Sequence, residues 1–166
     1  MKASTLVKVV GWCEVIGGAA GFLLLPITAV QQTRLGLPVD VRMPLTWYVM
    51  AAVTFGASIA AGALLLRHRA AGIAASSVIQ GLQIVQFSLP GFVYQYSTGF
   101  QLLLFVNSYT VRLSPGVNAG FTALPPRVSA PWSVGVNFFA VIALVVLLRL
   151  RRRTLEPQVE TFPPAV

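Results

Sequence analysis

The chain has 166 residues, of which 56% are hydrophobic and only 10% charged, with a mean hydropathy of +0.78. About a quarter of the residues of an ordinary soluble domain are charged, so this composition excludes that class and requires lipid as solvent. The net charge is +8, twelve Lys and Arg against four acids, but the basic residues sit at the ends of apolar runs and no nucleic-acid motif accompanies them. That pattern suits membrane orientation and anionic headgroups, and no nucleic-acid partner is expected.

A spanning helix needs about twenty mostly apolar residues. Four stretches are predicted to meet this, over residues 6–30, 46–66, 70–89 and 132–148. The first is read as a retained helix and not a secretory signal, because Lys8 and Glu14 interrupt it and it is longer than a signal's apolar region. Residues 90–131 are read as an ordered outer loop, partly β-structured. Phe92, Tyr94 and Tyr96 alternate with smaller or polar neighbours, and 102–106 and 109–113 are rich in strand formers. Ser114-Pro115-Gly116 and Pro125-Pro126 read as turns. A re-entrant or interfacial helix over 92–106 is the alternative. Residues 154–166, with three prolines and two acids, read as a flexible cytoplasmic tail. The predicted fold is therefore an all-α membrane protein: a single transmembrane domain over 1–153, forming a four-helix transmembrane bundle with a partly β-structured outer loop between helices three and four.

Orientation follows from the basic residues. Lys2, Lys8, Arg67, Arg69, Arg149, Arg151, Arg152 and Arg153 fall on one side of four spans; Arg34, Arg42, Arg112 and Arg127 fall on the other. Eight against four puts both termini inside, in the manner of a bacterial inner (cytoplasmic) membrane protein. Trp47, Tyr48, Tyr94, Tyr96 and Trp132 then fall at the outer interface, where amphipathic rings are favoured. Arg149, Arg151, Arg152 and Arg153 read as a topology anchor that also suits anionic lipid.

Glu14 is the one acid inside a span, and an ionisable group there is a functional candidate. It lies roughly 13 Å from the inner end of the first helix, and Gln80 roughly 15 Å along the third. Asn137 on the fourth helix and Thr54 or Ser58 on the second come to a similar level. Ser76, Gln80 and Gln83 are spaced by four and three, so they share a helix face. Glu14, Ser76, Gln80, Gln83 and Asn137 are accordingly read as one intramembrane polar cluster, with a protonated Glu14 donating to Gln80 or Gln83. It is either a clamp setting helix register or a site for protons or a quinone-like headgroup. Gly17 and Gly21 on the first helix, and Gly56 with Ala60 and Ser58 with Gly62 on the second, have the small-residue spacing that lets helices approach closely.

Several chemistries are excluded. Cys13 and His68 are the only residues of their kinds, which rules out an internal disulfide and a thiolate zinc cluster. There is no phosphate-binding loop, no HExxH and no GxSxG, and no catalytic set. No cofactor is predicted; a quinone or lipid is the ligand class left open.

Residues 11–18, GWCEVIGG, followed by Gly21 and by Leu23-Leu24-Leu25-Pro26, resemble the Gly-x-x-Glu…Gly…Leu-Leu-Pro helix of DoxX-like membrane proteins. The resemblance covers residues 11–26 and implies a small four-helix membrane protein in which Glu14 faces the bundle interior. The functional expectation is a non-enzymatic accessory or structural subunit that packs beside other membrane proteins. A small carrier or quinone-interacting protein built on Glu14, Gln80 and Gln83 is the alternative.

Overall fold

A computed structural model describes residues 3–35, 43–68, 70–90, 92–124 and 132–155. Two long helices open the chain. Helix α1 runs Ala3–Arg34 and α2 runs Leu45–Leu66. At 1.5 Å per residue they extend about 48 and 33 Å. Both are long and apolar enough to cross a membrane, and only 28% and 33% of their most apolar windows are buried inside the molecule. Pro26 lies inside α1, where it removes one intrahelical donor. The two helices pack antiparallel, since Gly11 meets Leu66, Gly18 meets Ile59 and Gly21 meets Phe55. A tight turn follows α2, with His68 at φ 53, the left-handed conformation that ends helices.

The remaining elements overturn the all-α bundle. Helix α3 covers only Ala70–Ile84, about 22 Å, short of the roughly 30 Å hydrocarbon core. Residues 85–89 form strand β1, Val85–Leu89, instead of the end of the predicted helix. Their alternating Val85, Phe87 and Leu89 suit a strand, and pairing with two other strands decides the matter. At the far end, Ser133–Asn137 is strand β4, and helix α4 starts at Phe138 and ends at Leu155. Asn137 sets that start: its side-chain Oδ1 accepts the Phe139 N–H at 3.2 Å, as N-cap residues do. Before Arg149, α4 has only eleven residues of apolar helix, about 16 Å. Among the described residues the fold is mixed: four helices and a four-stranded antiparallel sheet.

The predicted outer loop is mostly strand. β2, Phe92–Asn107, and β3, Val111–Leu124, form a long hairpin paired from Val93↔Leu124 to Val106↔Val111. Its turn is at Asn107–Thr110, where Asn107 Oδ1 accepts the backbone N–H groups of Tyr109 and Thr110, an Asx turn. The turn expected at Ser114-Pro115-Gly116 is instead strand. Pro115 pairs with Leu102 and is tolerated because β3 is an edge strand. The Pro125-Pro126 turn and the tail beyond Leu155 lie outside the described residues.

The pairing pattern bends β2 sharply. β1 is antiparallel to β4, β4 is antiparallel to the second half of β2, and β1 is antiparallel to its first half. Three mutually antiparallel pairings require β2 to reverse its heading between Tyr94 and Leu103. Gly99, at φ +92, lies in that interval and takes a conformation that glycine adopts without steric cost. The apex of the folded hairpin is thereby pushed against the helices: an added Cβ on Gly17 would stand 2.5 Å from the Gly99 nitrogen. The hairpin is a wedge among the helices and not a cover lying on an outer face.

Two apolar clusters hold the molecule. Val7, Val10, Leu65, Ala143 and Leu147 join the start of α1, the end of α2 and the later part of α4. Trp47, Phe55, Ile79, Tyr96 and Phe121 join α2, α3 and the hairpin. Trp47 and Tyr96, expected at an interface, are buried in this second cluster; Tyr48 and Tyr94 are half-buried at its edge and Trp132 is exposed.

Candidate functional site

Glu14 is fully buried at the middle of α1 and faces α3. The Ser76 hydroxyl donates to its Oε2 at 2.6 Å, and the Gln80 amide donates to Oε1 at 2.9 Å. Residues 76 and 80 are one turn apart on α3, so one helix face supplies both donors. Hydrogen bonds to a carboxyl oxygen are among the stronger kind when the acceptor is ionised. Here the donors are the two side chains of α3, not Glu14.

Gln83, expected beside Glu14, reaches the hairpin instead. Its Nε2 donates to Thr98 Oγ1 at 2.9 Å, while the Thr98 backbone N–H donates to its Oε1 at 3.0 Å. Ser58 of α2 donates to the Glu14 backbone oxygen at 3.2 Å and stands 3.2 Å from Thr98 Oγ1. With the Ser58 proton directed to Glu14, the Thr98 hydroxyl donates to Ser58, so the protons on this chain are consistently assigned. Further along, the Gln86 amide donates to the Tyr96 carbonyl at 3.4 Å, and the Tyr96 hydroxyl donates to the Thr54 carbonyl at 3.3 Å. One connected set of hydrogen bonds thus ties α1, α2 and α3 to the apex of the hairpin. Buried networks of this kind specify one arrangement because leaving any member unpaired is costly.

Asn137 stands apart from this set. Its Oδ1 accepts from the backbone N–H of Leu102 and of Phe139, and its Nδ2 has no partner among the described residues. It therefore locks the β4–α4 junction to β2 and is not a member of the Glu14 cluster. The glycines also divide. Gly17 touches the Thr98–Gly99 backbone, Gly21 the Phe55 ring and Gly62 the Gly11 carbonyl, but a Cβ on Gly56 would meet nothing within 4 Å. Gly56 is not a packing position. Arg149, Arg151 and Arg152 are exposed on the last turns of α4 and Arg153 follows them.

A cavity of about 800 Å³ opens on the opposite side of α1, between that helix and the β2–β3 hairpin. Lys8, Trp12, Cys13, Gly17, Phe100 and Asn118 are among its lining residues; Glu14, Gln80 and Gln83 are not. Among the described residues no three of His, Cys, Asp and Glu come together in a metal-holding group.

Thr98 and Gly99 were not identified from the sequence as part of this site. Their signal is the Ser97-Thr98-Gly99 interruption of an apolar run, which marks where polar backbone and hydroxyls enter the bundle. Compared with protein-family models, curated proteins and solved structures, the chain matches none.

Proposed function

We propose that this chain is a non-enzymatic integral membrane protein, with both termini on the cytoplasmic side, that serves as an accessory subunit of a larger membrane complex. Membrane insertion is supported by the outward apolar faces of α1 and α2, where Trp12, Ile16, Leu23 and Val53 are all more than half exposed. The common side for the termini is supported by the Val7–Val10–Leu65–Leu147 cluster. It gathers the start of α1, the end of α2 and the end of α4, with Lys8, Arg67 and Arg149, at one end of the molecule, as the positive-inside rule favours.

The observation that carries the subunit reading is the outer edge of β3. Among the described residues this fourteen-residue strand pairs only with β2, and Val111 and Leu113 project exposed beside that edge. Long free edges are templates for an added strand and are ordinarily blunted or covered. The non-enzymatic reading is supported by the Glu14 network, whose polar groups are engaged with one another and do not border the cavity. The carrier alternative is favoured by the cavity itself, though with α1 and the hairpin as its walls and not Glu14.

The test is recovery of the tagged protein from its native membrane in mild detergent, followed by mass spectrometry of its companions at constant ratio through two sizing steps. A stoichiometric assembly that is lost when Val111→Lys and Leu113→Lys are combined supports the proposal. Recovery as a lone monomer or homo-oligomer overturns it.

A further inference from the structure

We infer that the cavity between α1 and the hairpin is a binding site for a single-chain amphiphile with an acidic head, taken from the surrounding bilayer. This goes beyond the subunit reading and does not rest on it. The α1 residues that line the cavity run from Thr5 through Lys8, Trp12 and Ile16 to Ala20. Their spacing of three and four makes a continuous stripe along one helix face, about 22 Å long from Thr5 to Ala20. The facing wall is Gly99 and Phe100 of β2 with Val117, Asn118 and Ala119 of β3. The volume of about 800 Å³ lies within the range of small-molecule sites, roughly 300–1,000 Å³, and their usual character is the same: apolar walls with few polar groups.

Two features choose the occupant. The cavity's lining runs along about 22 Å of α1, and Trp12 and Ile16, 56% and 62% exposed, stand along that face, so it is entered from the lipid. Among the described residues Lys8 is the one charged side chain lining it, one turn into the apolar part of α1. A lysine at that depth extends its stem along apolar surface and its ammonium toward the headgroup level. Its ammonium is a donor without acceptor capacity, so the complementary head is an anion such as a carboxylate. The acyl chain then lies along Trp12, Ile16 and Ala20.

The test is equilibrium binding of a fatty acid carrying a dansyl group at its far end, and of the methyl ester of the same probe, to the full chain in detergent, with empty micelles as blank. The acid is expected to bind about tenfold more tightly than the ester, as a charge-assisted contact supplies. Lys8→Met should erase that preference by lowering acid binding to the level of the ester. Ala20→Phe should weaken both probes at least tenfold by filling the cavity. Ala119→Phe does the same from the opposite wall should the first variant fail to fold. Equal affinity of the native chain for acid and ester overturns the assignment of the head, and unchanged binding in a folded cavity-filling variant overturns the site.

Discussion

Gly17→Ala and Gly56→Ala are the same chemical change on two helices, and the structure gives them opposite signs. In a helix interior the exchange gains up to about 1 kcal/mol of propensity. At Gly56 nothing stands within 4 Å of the new methyl, so that gain is realised. At Gly17 the methyl would lie 2.5 Å from the Gly99 nitrogen and 2.7 Å from the Thr98 carbonyl carbon, where ordinary contact begins at 3.4 Å. The obstruction is backbone, so the hairpin apex must retreat by about 0.9 Å, the difference of those distances. Overpacking of this kind costs about 1–3 kcal/mol. The retreat also strains the paired Gln83–Thr98 hydrogen bonds, each worth about 1 kcal/mol. Net destabilisation of about 1–3 kcal/mol follows. At roughly 2–4 °C per kcal/mol for a chain of this length, Tm should fall by about 2–12 °C for Gly17→Ala and rise by up to about 2–4 °C for Gly56→Ala. The lone cysteine supplies the assay: Cys13 is buried one turn from Gly17, so a fluorogenic maleimide reports unfolding where the perturbation acts. A Gly17→Ala protein as stable as the native chain would refute the close seating of the hairpin on α1.

Three other outcomes follow from the same geometry. Glu14→Gln should retain most of the stability, since an amide keeps the capacity to bond Ser76 and Gln80, whereas Glu14→Leu leaves both donors unpaired and should cost about 2–4 kcal/mol; comparable thermal stability in detergent for the two variants would contradict the clamp, as would loss of complex assembly in a normally folded Glu14→Gln. Thr98→Val removes the acceptor for Gln83 and the donor to Ser58 and should cost about 1–3 kcal/mol, and Gln83→Leu combined with it should cost less than the sum of the two; additive losses would show that the two residues do not act together. In a Cys13→Ala background, Tyr109→Cys at the hairpin turn should react with a membrane-impermeant maleimide from outside intact cells, and Arg149→Cys only after permeabilisation; the reverse labelling would invert the proposed orientation.

The polar face of α3 was readable because Ser76 and Gln80 follow helical spacing in an uncharged apolar run, and Glu14 because it is the one acid in another. Both expectations depend only on local period and on the cost of polar groups among apolar ones. Gln83 shows where that reasoning stops. It shares the face, yet its partner is Thr98, a residue whose approach depends on how a distant strand folds back.

What the sequence by itself determined is the apolar character of the chain, the two long helices, the basic ends, and the inward polar stripe. Each follows from composition and from periodicity within a single segment. Only the tertiary structure decided that 85–89 and 133–137 are strands, that the third and fourth apolar runs make no complete spanning helix, and that the hairpin bends at Gly99 to meet Gly17. The physical reason is that local pattern in short apolar segments such as VQFSL and SVGVN does not separate a strand from the end of a buried helix. Their choice is made by the partners they pair with, which lie about fifty residues away and leave no trace in local spacing.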